Sequence, residues 1–169
     1  MSRTHVFRRV MLTGAALTLA AAGLAACGGS SGGALAVNDS WTKATDGPMT
    51  GSFGTVVNGT DADITVTGAS SPVAGIVELH ETTMVDGEMV MQPKPGGFVI
   101  PAGGSLTLEP GGNHVMLMGL TGAIAPGQDV PITLTLSNGD TLTYTTVAKD
   151  FAGGNESYEP TPSMSPSMG

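Results

Sequence analysis

Residues 131–147, "PITLTLSNGDTLTYTTV", contain two runs in which apolar side chains occupy every second position. This alternation, in residues 132–136 and again in 142–146, is typical of β-strands with one buried face. Between the runs, Asn138-Gly139 predicts a two-residue hairpin turn in which both residues have positive φ. The stretch therefore predicts two antiparallel strands joined by a tight turn.

The same organisation continues outward from this hairpin over the middle of the chain. Short apolar and β-branched runs end at turn signals such as Asn58-Gly59, Asp86-Gly87 and Gly111-Gly112. No stretch between them maintains a 3.6-residue period over the length of a helix. Turn signals about every ten residues predict an all-β domain, with the strands arranged as a Greek-key β-sandwich.

The N-terminus has the pattern of a secretory signal, predicted over residues 1–26. A basic stretch, "MSRTHVFRRV", precedes the apolar run "MLTGAALTLAAAGLAA". The run ends in "LAAC", residues 24–27, which resembles the bacterial lipobox and implies that Cys27 is lipidated and begins the exported protein. Residues 27–33 then predict a flexible tether. We expect a protein anchored by lipid at the outer face of the cell membrane, in the cell envelope or periplasm.

The β-sandwich is predicted over residues 34–152, and residues 153–169 predict a disordered tail. The tail, "GGNESYEPTPSMSPSMG", is rich in Pro, Ser and Gly and has no apolar periodicity that could offset the entropy of ordering it. It contains Met164 and Met168, four residues apart. The sequence leaves open whether they bind a soft metal.

Charge and cysteine content exclude several function classes. The full chain has a formal charge of −8, and without residues 1–26 it has three basic and fourteen acidic residues, a charge of −11. Nucleic acid is therefore not an expected partner. Cys27 is the only cysteine, so with its sulfur lipidated the domain has no disulfide, thiolate metal site or cysteine nucleophile.

Candidate metal ligands come from the two histidines of the predicted domain. Ten residues separate His80 from Met91, twenty-two separate Met91 from His114, and one separates His114 from Met116. Side chains two apart on a strand point the same way, so His114 and Met116 share a face. Thioethers are soft, neutral ligands that suit Cu(I) and bind Zn²⁺, Mg²⁺ or Ca²⁺ poorly. We expect both histidines at strand ends, in a partly exposed site.

Other residues near this pattern have simpler interpretations. Met89 and Met118 are expected to fill gaps in the core, since methionine packs irregular spaces. Glu78 and the neighbouring carboxylates are expected to solvate the rim of the site. Met49, in "DGPMTG", receives no role.

The stretch "VELHETTMVDGEMVMQPKPGGFVIPAGGSLTLEPGGNHVMLMGL", residues 77–120, resembles the periplasmic copper chaperones called PCu(A)C. The resemblance extends more loosely from Trp41 to Phe151. It implies a cupredoxin-like β-sandwich and a Cu(I) site. The ligands that it implies are His80, Met91, His114 and Met116.

The implied role is delivery of Cu(I) to the Cu(A) centre of cytochrome c oxidase, beside a thioredoxin-fold thiol partner. The sequence does not separate this role from copper sequestration for copper tolerance, and a third alternative is a metal-free anchored β-sandwich that binds a partner. An enzyme is not expected, because no zinc-protease "HExxH" or phosphate loop is present.

Overall fold

A computed structural model describes residues 34–153 and the backbone of residues 157–158, and this part of the chain consists of strands and connecting turns. The predicted signal (residues 1–26), the lipidated Cys27 with its tether and most of the predicted tail lie outside the described residues. In the described part, no helix is long and apolar enough to cross a membrane.

Eleven strands follow one another along the described chain. They are β1 (Leu35–Lys43), β2 (Met49–Asn58), β3 (Ile64–Ser70), β4 (Ala74–Val85), β5 (Glu88–Pro93), β6 (Phe98–Ile100), β7 (Ser105–Leu108), β8 (His114–Leu120), β9 (Asp129–Leu136), β10 (Thr141–Lys149) and β11 (Ser157–Tyr158).

The predicted hairpin is present as β9 and β10, with Leu134 directly opposite Leu142. The predicted turn is wrong in detail, because only Gly139 has positive φ, at 88°. Leu136 and Asp140 close a loop of three residues: the amide of Leu136 donates to the carbonyl of Asp140, 2.9 Å away. The Asn138 side chain accepts from the Asp140 amide at 3.0 Å, which stabilises this longer loop.

The strands form one hydrogen-bonded series in the order β11-β5-β4-β8-β2-β1-β10-β9-β3-β6, and β7 pairs with β2. Most neighbours are antiparallel, whereas β1 runs parallel to β10 and β11 runs parallel to β5. A series of this length brings strands distant in the sequence side by side. Histidine-bearing β4 and β8, for example, are adjacent.

One hydrophobic core, mainly aliphatic, lies between the two halves of this series of described strands. Leu79 on β4 and Leu117 on β8 belong to the same buried cluster as Ile132 and Leu134 on β9. Side chains from both halves therefore face each other, as in a β-sandwich. The all-β sandwich predicted from the sequence is confirmed.

The C-terminal segment differs from the prediction at two residues. Ser157 and Tyr158 form β11, which pairs with Val90 and Met91 of β5, although the sequence predicted disorder from residue 153. Because β4 occupies one side of β5, the other side presents backbone groups that can pair with a further strand. Apolar periodicity in the tail is not needed for this backbone pairing.

Candidate metal centre

The register of β4 with β8 brings the two histidines together. His80 lies directly opposite His114, and Glu78 lies opposite Met116. On the other side of β4, Thr82 lies opposite Met91 of β5. Cross-strand partners point to the same face of a sheet, as do residues two apart on one strand. All four predicted ligands therefore share one face.

This face points away from the core. On β8, Val115 and Leu117 belong to the core cluster, so His114 and Met116, which alternate with them, point outward. The outward residues are nevertheless buried, with His80 0%, His114 5% and Met116 4% exposed. The expected partial exposure is therefore wrong for these three side chains, whereas Met91 is half-buried.

The two histidines also differ in their place on the strands. His114 begins β8, as predicted. His80 does not end its strand, because β4 continues to Val85 and forms a hairpin with β5. The strand continues beyond residues 75–80, "GIVELH", because residues 81–85, "ETTMV", pair with residues 88–93, "EMVMQP". The composition of residues 81–85 alone does not reveal this pairing.

The imidazoles are close enough to bind a single ion. Their ring centroids lie 5.6 Å apart with an interplanar angle of 62°. A bond of about 2 Å from a metal to one nitrogen of each ring allows centroids up to about 6 Å apart. The pair thus meets the geometric requirement for two-histidine coordination.

Hydrogen bonds orient both rings. The His114 Nδ1–H donates to the carbonyl of Gly112, 3.0 Å away. His80 Nε2 lies 2.9 Å from the Glu78 carboxylate, to which it donates. In the neutral rings these bonds leave the nitrogen lone pair on Nε2 of His114 and on Nδ1 of His80. The sequence predicted only that Glu78 solvates the rim. In the structure Glu78 also sets the orientation and tautomer of His80.

A cavity of about 220 Å³ opens beside the histidine pair. Its walls include Met91, His114 and Met116, together with Met49 and Phe53. The three predicted ligands that line the cavity can thus be reached from solvent through one space. The thioether of Met49, to which the sequence gave no role, faces the same space.

Phe53 forms one side of the cavity, and Trp41 packs against it. The Phe53 ring lies 6.2 Å from that of His114 and 4.6 Å from that of Trp41, measured between centroids. Gly51 makes this packing possible, since a Cβ at this residue would lie 2.6 Å from Cζ of Phe53. The apolar wall restricts water on that side of the histidine pair.

The remaining methionines of this face divide into two groups. Met118 is half-buried and lies opposite Met49 on β2, on the face that points away from the core, so it does not fill the core as predicted. Met84 and Met89 lie at the tip of the β4–β5 hairpin and are 66% and 41% exposed. The prediction that Met89 fills the core is therefore wrong.

The sequence analysis did not predict the places that Glu78 and Met49 take at this site. Glu78 stands two residues before His80, and on a strand this spacing puts the two side chains on one face. Met49 had no local signal, because its place depends on the pairing of β2 with β8, distant in the sequence. Among residues 34–153, no three His, Cys, Asp or Glu side chains are grouped so that they could hold a metal ion.

Comparison with known proteins identifies the family. The family model of the LpqE-like lipoproteins matches residues 35–148. The chain belongs to the LpqE-like lipoprotein family. A relative described as a lipoprotein, Lxx21020 of Leifsonia xyli subsp. xyli, is 41% identical over 148 residues, 88% of each chain.

Solved structures with the same fold are PCuAC domains, which confirms the resemblance found in the sequence. The copper-bound PCuAC domain from PmoF2 superposes with a TM-score of 0.58 at 19% identity, covering 70% of this LpqE-like chain and 95% of that domain. The solution structure of the Cu(I) form of DR1885 from Deinococcus radiodurans has a TM-score of 0.56 at 33% identity, covering 74% of this chain and 86% of that one.

Proposed function

We propose that this LpqE-like chain is an extracytoplasmic Cu(I)-binding chaperone, with His80, Met91, His114 and Met116 as its copper ligands. The observation that carries the proposal is the opposition of His80 and His114, whose ring centroids are 5.6 Å apart. On the same face, a methionine lies in the next cross-strand pair on either side of the histidines. Met116 is opposite Glu78, and Met91 is opposite Thr82. Two imidazoles and two thioethers form a neutral, soft donor set that favours Cu(I).

The hydrogen bonds of the histidines indicate which nitrogens bind. With His114 Nδ1–H held by the Gly112 carbonyl, Nε2 of His114 is the donor atom. With His80 Nε2–H held by Glu78, Nδ1 of His80 is the donor atom. Outer partners of this kind hold a ring in place and raise its basicity. The copper-free protein therefore has the imidazoles already oriented.

Release of copper begins at Met91. His80, His114 and Met116 are buried, whereas Met91 is half-buried and lines the open cavity. A thioether is neutral and weakly basic, so a thiolate from an acceptor displaces it more easily than an imidazole. We infer that an incoming ligand replaces Met91 first and that the copper then leaves through the cavity.

The destination and the anchor belong to the same proposal. Membership of a lipoprotein family supports lipidation at Cys27 and attachment to the outer face of the cell membrane. The likeness to the Cu(I) form of DR1885 supports a Cu(I) cargo. Delivery to the Cu(A) subunit of cytochrome c oxidase, with a thioredoxin-fold thiol partner, is the role that we propose, and the chain is a carrier with no catalytic step.

An anaerobic Cu(I) titration against a chromophoric chelator tests the site. Residues 28–169 are used, since all eleven strands lie within them. We expect one tight equivalent, which is lost from His80→Ala and retained in Glu81→Ala. Glu81 is the matched control because it adjoins His80 and forms an ion pair with Lys94, 2.6 Å away, outside the ligand set. Failure of the wild-type chain to bind Cu(I) would falsify the proposal.

A growth experiment separates delivery from sequestration. In a strain lacking the gene, delivery predicts loss of oxidase activity under copper limitation and rescue by wild-type protein but not by the His80→Ala variant. Sequestration instead predicts normal oxidase activity and sensitivity to excess copper. The second result would be consistent with the copper site but would show that the protein sequesters copper rather than delivers it.

A further inference from the structure

Two methionines stand side by side in solvent at the tip of the β4–β5 hairpin. Met84 and Met89 are direct cross-strand partners, and their side chains are 66% and 41% exposed. Partners of this kind have Cβ atoms about 5 Å apart, which allows both sulfur atoms to reach one ion. Neither side chain is part of the core cluster, so packing against the core does not account for the pair.

The turn fixes the register that creates this pair. Asp86 has a φ of 51° and Gly87 a φ of 88°, and Val85 pairs with Glu88 on either side of them. This is a two-residue hairpin turn with both residues in the left-handed region, which allows little variation in register. A slip of one residue would place the two thioethers on opposite faces.

The pair lies on the same face as the proposed copper ligands. Met84 is four residues from His80 on β4, and Met89 is two residues from Met91 on β5, so all four side chains point the same way. Two residues of strand span about 7 Å. A thioether pair in solvent is therefore one step along β5 from the most accessible ligand of the buried site.

We propose that Met84 and Met89 form a second, weaker Cu(I) site, at which copper binds before it moves to Met91 and the histidines. This inference rests on the proposed function. Two neutral thioethers suit Cu(I), and solvent completes the coordination, so the site holds copper less tightly than one that includes two imidazoles. The carboxylates of Asp86 and Glu88 at the tip attract the cation. The transfer is an exchange of ligands, and copper remains Cu(I) throughout.

Methyl NMR resolves the two sites in one titration. Residues 28–169, with ¹³C-labelled methionine methyl groups, are titrated with Cu(I) without oxygen. The first equivalent shifts the methyl signals of Met91 and Met116, and further copper shifts those of Met84 and Met89. A Met84→Leu/Met89→Leu variant, which preserves apolar volume, loses the second response and retains the first. Met118→Leu, on the same face, is the matched control and retains both.

The kinetic role of the pair is measured separately. With Cu(I) supplied by the chelator, the Met84→Leu/Met89→Leu variant fills the histidine site about tenfold more slowly, while its equilibrium affinity is unchanged. An unchanged rate would overturn the entry role.

Each failure has its own readout. If the Met84 and Met89 methyl signals stay unshifted, or if Met164 and Met168 respond in their place, the second site is wrong and the histidine site stands. If Met84 and Met89 respond to the first equivalent, their site is not the weaker one. If the Met91 and Met116 methyl signals never shift, the proposed function itself fails.

Discussion

Both faces of β8 are buried from His114 to Leu117, but only one of them carries atoms that can bind a metal. Val115 and Leu117 are both 0% exposed on the face that packs into the core. His114 and Met116 are 5% and 4% exposed on the opposite face, where they line a cavity beside an aromatic wall. Burial alone therefore does not separate core from site. Donor atoms and an adjoining cavity do.

The largest expected effect is on stability, from the inner face. Leu117→Ala removes a fully buried side chain and leaves a cavity, which lowers the free energy of unfolding of the copper-free protein by about 2–5 kcal/mol. Urea unfolding followed by circular dichroism measures this. The folded variant still binds one tight equivalent of Cu(I). A loss of copper affinity without a loss of stability would contradict the division between the faces.

On the outer face, removal of His114 is expected to reduce the Cu(I) affinity more than the stability. His114→Ala lowers the Cu(I) affinity by more than about 100-fold, because an imidazole is a stronger ligand than a thioether and its loss exceeds the 10- to 100-fold cost of removing an outer partner. Chelator competition measures the affinity, and urea unfolding of the copper-free protein shows a smaller change than Leu117→Ala. If stability fell as far as in Leu117→Ala while affinity held, His114 would be a core residue.

Met116 and Met118, two residues apart on the outer face of β8, allow ligation to be distinguished from packing. Met116→Leu preserves apolar volume but removes a ligand sulfur, so Cu(I) affinity falls by between about 10- and 100-fold. Met118→Leu is the matched control, since Met118 is half-buried and does not line the cavity. Equal losses of affinity in both variants would show that packing along the face, rather than ligation by Met116, controls binding.

The smallest expected effect concerns an outer partner. Glu78→Gln keeps an oxygen near His80 Nε2 but removes the charge that raises the basicity of the ring, so Cu(I) affinity falls by about tenfold. Glu81→Gln, one residue beyond His80, leaves the affinity unchanged. An undiminished affinity in Glu78→Gln would mean that the carboxylate only hydrates the rim.

Much of the fold followed from local patterns. Alternation in residues 132–136 predicted the buried face of β9, and Ile132, Leu134 and Leu136 are all buried there. The details that failed depend on contacts with other parts of the chain. Asn138 lacks the positive φ expected from Asn-Gly, in a three-residue loop that also bonds to β3. The Ser137 amide donates to the Thr65 carbonyl at 2.8 Å, and the Ser137 hydroxyl accepts from the Thr65 amide at 3.2 Å.

The predictions about the histidine face failed for a similar reason. His80 was expected to end a strand, but "EMVMQP" extends β4 by pairing with it. Met89 was expected in the core, but the same hairpin carries it into solvent. An apolar residue on a strand predicts burial only if another layer covers that face.

The sequence by itself determined which donors are present and that His114 and Met116 share a face, because side chains alternate along any strand. It also determined the softness of the donor set, which follows from the chemistry of imidazole and thioether. Only the tertiary structure decided that His80 lies opposite His114 and that Met49 reaches the same cavity. Those contacts join strands distant along the chain, and their register is set by burial of the shared core rather than by local preference.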